Sequence, residues 1–246
     1  MKKKTILSAY GIFGILALTV AVFFIYTSDY YHADPEILSQ FADKNSSVTV
    51  VERDDNITVY SPENGSEYGL IFYPGALVES EAYAPLLTSI AERGITCICA
   101  DMPFNLAIFG IDRAKEIIPS FDNIRHWYIG GHSLGGAMAS SFAAGYEGSL
   151  DGLVLFAAYS VSDISKSGLN VISVYGSNDG VLNKDAYDNK RKNLPEKINE
   201  LVIKGGCHSY FGAYGMQEGD GVPTVSRDDQ VTVTAQYVSE CIKNNK

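Results

Sequence analysis

The sequence predicts an α/β protein: a doubly wound, mostly parallel sheet of about eight strands, covered by helices on both faces and preceded by one membrane-spanning helix. Three observations lead there. Short apolar runs without polar alternation recur along the chain, separated by helical segments. One such run, residues 127–131, passes directly into Gly131-His132-Ser133-Leu134-Gly135 and then into a stretch of small residues that includes Ala137, Ala139, Ser140, Ala143 and Ala144. Residues 5–26 carry no charged side chain.

Taken in order, residues 1–4 are basic and residues 5–26 are apolar. As a helix that run rises about 33 Å, enough for a bilayer core of about 30 Å. Phe23-Phe24-Ile25-Tyr26-Thr27 offers no small-x-small cleavage site, so an uncleaved signal anchor is expected over a cleaved signal peptide. Lysines before the run and acids after it put the N-terminus inside and the remainder outside. A linker or short helix over residues 29–46 follows, with Ile37, Leu38 and Phe41 on one face. Strands are expected over 48–53 and 57–61, joined by the turn Asp54-Asp55-Asn56. Further strands follow at 68–73, 95–100, 127–131, 153–158, 170–175 and 198–204. Helices are expected over 83–92, 111–118, 185–192 and 227–243, with a helix behind Ser133. The domain boundaries read as 1–28, 29–46 and 47–246.

Composition narrows the partners. The net charge is −10, and beyond the three leading lysines the chain holds 16 basic and 29 acidic side chains. Such a surface repels nucleic-acid phosphates, so no nucleic acid is expected. Cys97 and Cys99 lie two apart in an apolar strand and read as small buried hydrophobes. Cys207 and Cys241 could meet, but no spacing suggests a metal site, and no cofactor is expected.

The chemistry concentrates at strand ends. A serine held between strand and helix, with glycine two positions to either side, is the nucleophile-elbow pattern. Side chains at 131 and 135 would collide with the neighbouring strand and helix. A serine needs a base, and a histidine near neutral pH serves if a carboxylate fixes its tautomer. His32 belongs to the membrane-proximal stretch, His126 to the amino end of the strand leading into the elbow, and His132 is confined within the elbow. His208, beyond the strand at 198–204, is left. Asp179 closes the strand at 170–175, whereas Asp151, Asp163 and Asp185 close none. The order Ser133…Asp179…His208 follows successive strand ends. Oxyanion donors are expected at the amide of Leu134 and, in the loop after the strand at 68–73, at Ala76 or Leu77.

Pro74-Gly75-Ala76-Leu77-Val78, Gly131-His132-Ser133-Leu134-Gly135-Gly136, Gly176-Ser177-Asn178-Asp179-Gly180 and the run from Gly206 to Gly215 together resemble the α/β-hydrolase superfamily. More narrowly, Met102-Pro103-Phe104-Asn105-Leu106-Ala107 and the stretch from His208 to Gly221 are similar to single-pass bacterial members loosely related to dienelactone hydrolases. Dienelactone hydrolases proper carry a cysteine nucleophile where this chain has Ser133, so lactone specificity does not transfer. The resemblance implies a serine hydrolase acting on a small-molecule ester or related acyl bond through a Ser-His-Asp triad and an acyl-enzyme. The same machinery also suits a thioester, an amide or acyl transfer, while a non-catalytic binding module would have lost a triad member. No large lid is expected, since few residues separate the strands at 153–158 and 170–175. Phe104, Tyr159, Tyr210 and Phe211 are expected to contact substrate. The expected location is the cell membrane, single-pass, with the catalytic domain extracellular; secretion after signal cleavage is the alternative.

Overall fold

The computed structural model describes residues 2–42 and 47–245, with side chains from Phe13 onward except that of Ala42. The chain divides into two compact units, Met1–Tyr30 and Tyr31–Lys246. The first is the helix α1 (Lys2–Ser28). Among the described residues, no helix is long and apolar enough to cross a membrane. The part of the expected span up to residue 12 lies outside the described side chains.

The second unit begins inside the expected linker. It contains α2 (Pro35–Ala42), and residues 43–46 of that linker lie outside the described residues. The sheet is formed by β1 (Val48–Arg53), β2 (Ile57–Pro62), β3 (Tyr68–Tyr73), β4 (Thr96–Ala100), β5 (His126–His132), β6 (Gly152–Phe156), β7 (Asn170–Gly176) and β8 (Asn199–Ile203). The strands run in the order β1-β2-β4-β3-β5-β6-β7-β8. β2 pairs antiparallel with both β1 and β4, and every pairing from β4 to β8 is parallel. The expected eight-stranded, mostly parallel sheet is therefore present.

The parallel strands are apolar throughout because both faces are covered. On one face, Leu70, Phe72, Tyr128, Val154, Phe156 and Val174 meet α3 (Ala84–Ala91) and α7 (Arg227–Lys243). On the other, Ile71, Tyr73, Ile129, Leu153 and Leu155 meet α4 (Arg113–Ile117) and α5 (Leu134–Gly145). Adjacent residues of one strand serve opposite cores, as the period-two pleat requires. The remaining helix, α6 (Lys184–Lys190), is capped by Asn183 Oδ1, which accepts from the Ala186 N–H. Residues 157–169, between β6 and β7, form no helix, so no lid sits there. All four cysteines are free, Cys207 and Cys241 included.

Topology locates the site. β3 lies between β4 and β5, so the chain leaves β3 for one side of it and returns on the other. In open α/β sheets, ligands bind beyond the carboxyl ends of strands at such a reversal. The loop after β3 and the turn after β5 are the two edges of that crevice.

Candidate active site

Ser133 stands between β5 and α5 at φ 53°, ψ −120°. A non-glycine residue there costs about 1–3 kcal/mol, and packing must hold it in place. The packing is visible at the two glycines. A Cβ on Gly131 would lie 2.5 Å from the Tyr73 carbonyl oxygen, and one on Gly135 would lie 2.1 Å from the same atom. Both contacts are with backbone, so neither position accepts a side chain. The Ser133 N–H donates to the Phe156 carbonyl at 3.0 Å, which ties the turn to β6.

The loop after β7 brings in Asp179. Its Oδ1 accepts from the Val181 and Leu182 amides at 2.9 and 2.7 Å. Its Oδ2 lies 2.9 Å from His208 Nδ1, and both side chains are buried. A carboxylate can only accept, so Nδ1 carries a proton, and in the neutral ring the lone pair is then at Nε2. That Nε2 is buried and has no hydrogen-bond partner among the described residues. His208 and Ser133 line one cavity of about 280 Å³ together with Leu134, Ala137, Tyr159 and Leu182. Among the described residues, no Asp, Glu, Lys or Arg side chain lines it. A larger groove of about 380 Å³ lies between α2, β1, α3 and α7, and no His or Cys among the described residues lines it.

The other histidines stand elsewhere. His126 lies 3.1 Å from Asp151 at the amino end of β5. His32 lies 3.7 Å from Glu79. His132 is buried next to the site with its ring 4.4 Å from that of His208, but its Nδ1 is engaged by the Tyr83 hydroxyl at 2.9 Å. Burial and the neighbouring His208 hold its pKa well below the ordinary histidine value, so it is neutral.

The expected oxyanion donors separate in the structure. The Leu77 N–H donates to the Asn105 carbonyl at 2.8 Å and is not available. At φ 53° the Leu77 peptide turns into the loop at residues 103–109. The amides of Ala76 and Leu134 donate to no group among the described residues. Of the expected substrate contacts, only Tyr159 lines the cavity. Phe211 is buried in the core against Phe156 and His132, because its short helix turns it inward. Tyr210 lies under the Arg227 guanidinium, 4.5 Å from ring centre to carbon. Phe104 is exposed, with its ring edge-on to that of Phe109.

Two hydrogen-bonded nodes escape sequence reading. The Tyr83 hydroxyl accepts from the Gly75 N–H at 3.0 Å and lies 2.9 Å from His132 Nδ1. Burial pushes the Tyr83 pKa up and the Gly75 bond lowers it less, so the hydroxyl keeps its proton. Asp220 is the second node. Its Oδ1 accepts from the amides of Gly180, His208 and Gly221, and its Oδ2 from the amide and hydroxyl of Ser209. One carboxylate therefore joins the loop of Asp179 to the loop of His208. The only sequence signal was an acid between Gly219 and Gly221. Tyr83 had none.

A family model described as the alpha/beta hydrolase family matches residues 69–232. No curated protein matches the chain by sequence. Among solved structures, Est1E from Butyrivibrio proteoclasticus is 15% identical with a TM-score of 0.58, covering 81% of this chain and 99% of its own. The same protein with ferulic acid bound gives 14% and 0.60, over 80% and 100%. TT1662 from Thermus thermophilus gives 15% and 0.57, over 80% and 98%. A hydrolase described as CIB-like from Thermoplasma acidophilum gives 15% and 0.56, over 80% and 100%. These likenesses concern the fold.

Proposed function

We propose that this chain, which belongs to the alpha/beta hydrolase family, is a serine esterase with Ser133 as nucleophile, His208 as base and Asp179 as its orienting acid. The observation that carries this reading is the buried Asp179–His208 pair, whose unpartnered Nε2 shares a cavity with Ser133. His208 Nε2 takes the Ser133 hydroxyl proton as Oγ attacks the acyl carbon. The carbonyl oxygen becomes an oxyanion, held by the free amides of Leu134 and Ala76. The tetrahedral adduct collapses, the C–O bond to the alcohol breaks, and His208 protonates the departing oxygen. Water, deprotonated by the same nitrogen, then releases the acid and regenerates Ser133. The imidazolium formed twice per turnover faces the Asp179 carboxylate, which stabilises it.

The cavity favours a small neutral acyl group. At about 280 Å³ it stands just below the usual range of about 300–1,000 Å³ for ligand sites, and no charged chain would pair with an acidic substrate. Ferulic acid, bound by Est1E, is a compact aromatic acyl group of the kind the reading allows. A finer kinship with dienelactone-type enzymes rests on residues 102–107 and the tail after His208.

We further propose that α1 anchors the domain in the cell membrane with the domain outside. Residues 5–26 carry no charge, and Phe13, Ile15, Leu16, Leu18 and Ile25 are exposed. An uncharged apolar run that rises about 33 Å as a helix suits a bilayer core of about 30 Å.

The test is labelling with a fluorophosphonate, followed by hydrolysis of p-nitrophenyl acetate. Wild type should label and turn over, Ser133→Ala should do neither, and His208→Ala should label at least about 10²-fold more slowly. An unlabelled wild type at neutral pH would refute the esterase reading.

A further inference from the structure

The loop that carries the Ala76 amide is held from three directions. Tyr83 receives the Gly75 N–H, and Asn105 receives the Leu77 N–H. The third hold comes from residues 31–34, just after the N-terminal helix. The Tyr31 N–H donates to the Leu77 carbonyl at 2.7 Å, and the Tyr31 carbonyl accepts from the Glu79 N–H at 3.0 Å. This is a one-residue parallel bridge across Val78. Glu79 returns the contact, its Oε2 accepting from the Ala33 N–H at 2.8 Å. The Asp34 N–H donates to the Ala213 carbonyl at 2.8 Å, in the segment that follows His208. The Tyr31 ring packs on Tyr214 with centroids 5.5 Å apart.

These bonds bear on a strained point. Leu77, next to Ala76, has φ 53°. A left-handed leucine persists only where its surroundings over-determine it. Its two peptide groups are fixed by one bond each, the N–H by Asn105 and the C=O by Tyr31. Releasing the carbonyl lets the loop relax, and an oxyanion donor must be held to within about 0.5 Å to act.

We propose that residues 31–34 position the oxyanion loop, so that turnover by the folded domain depends on the segment that joins it to the N-terminal helix. This rests on the reading of Ala76 as an oxyanion donor to Ser133 chemistry. The bonds to Leu77 and Glu79 are made by backbone, so composition alone does not reveal them. Residues 31–34 act through the loop and touch no reacting atom.

The experiment compares Tyr31→Pro with Tyr31→Ala in the full chain. Both lose the ring, but only proline lacks the N–H that binds Leu77. The measurements are kcat and KM for p-nitrophenyl acetate, the thermal midpoint, and hydrogen exchange of a peptide covering residues 75–79. Relative to the alanine variant, the proline variant should lose about tenfold or more in kcat, a fraction of the 10²–10³ that a missing oxyanion donor costs. KM should stay within about twofold, the mark of an interaction made only in the transition state. Exchange at 75–79 should quicken. Equal kcat in the two variants overturns the proposal. If the proline variant fails to fold, Glu79→Ala against Glu79→Gln decides. Glutamine can still accept from Ala33 and should restore kcat, and equal values in that pair overturn the proposal. A wild type with neither label nor turnover refutes the esterase reading instead. The exchange comparison then still decides on the tether, since unchanged exchange at 75–79 in the proline variant refutes it.

Discussion

Asp220→Asn tests whether the loops bearing Asp179 and His208 must be held in register. The carboxylate accepts five hydrogen bonds: at Oδ1 from Gly180, His208 and Gly221 at 3.2, 3.1 and 2.8 Å, and at Oδ2 from the Ser209 amide and hydroxyl at 2.8 and 2.7 Å. Asparagine offers one oxygen. With that oxygen at the Oδ1 position, its NH₂ faces the Ser209 N–H, donor against donor. The Ser209 hydroxyl can turn to accept from the new amide, but it already accepts from the Gln217 N–H at 2.8 Å. Hydrogen bonds to a charged group contribute about 1.5–3 kcal/mol each. One lost outright and four weakened by loss of charge predict a destabilisation of about 2–4 kcal/mol. His208 is displaced with its main chain, so kcat should fall about 10- to 100-fold while KM changes little. Urea unfolding and p-nitrophenyl acetate kinetics on the same preparation read both quantities. Burial raises the Asp220 pKa, but the bonds from Ser209, Gly180 and His208 outweigh it and hold the carboxyl below the usual range. A carboxylate with a depressed folded pKa stabilises fully above its unfolded value, near 4, and loses that effect as pH falls through the folded value. The stability gap between wild type and variant should therefore close below about pH 4. A variant with wild-type kcat and a stability within about 0.5 kcal/mol of wild type would refute the bracing role.

Other tests are simpler. Gly135→Ala puts a Cβ 2.1 Å from the Tyr73 carbonyl oxygen and 2.3 Å from that of Pro74. Backbone cannot yield there, so urea melts should show a loss of about 3 kcal/mol or more, with no fluorophosphonate label, and a wild-type melt would contradict the packing of the elbow. His132 is held neutral by burial and by His208. Its contribution is complete above the unfolded histidine pKa near 6.5 and declines as pH drops below that. Stability followed from pH 7.5 to 5 should fall, and His132→Gln should flatten the slope; an unchanged slope would rule out His132 as its source. Across p-nitrophenyl esters, the cavity of about 280 Å³ predicts kcat/KM highest for acyl chains of about two to six carbons. A rising profile toward long chains would show that the acyl group lies elsewhere.

Much of the fold was legible because its determinants are local. An apolar run without alternation means a strand buried on both faces, and each expected strand lies within a few residues of one in the sheet. The placement of Ser133, Asp179 and His208 at one end of the sheet was legible for a related reason. Each closes a strand, and in a parallel sheet all strand ends on that side meet. The shape of Gly131 and Gly135 was equally plain, since a missing side chain is a property of the residue itself. Other features depend on which backbone groups meet across long stretches of sequence. Leu77 and Ala76 look alike in the chain, yet Asn105 occupies one amide and leaves the other free. Phe211 and Tyr159 are both aromatic residues after a strand, but a short helix at Ser209–Phe211 turns the first into the core. The Asp220 brace, the Tyr83 bond to His132 and the backbone bridge from Tyr31 join residues far apart in number. Side-chain type settled which atoms of this chain could do chemistry. Only the packed sheet decided which amides were spent, which carboxylate held the loops together, and that the segment after the N-terminal helix belongs to the site's own scaffold.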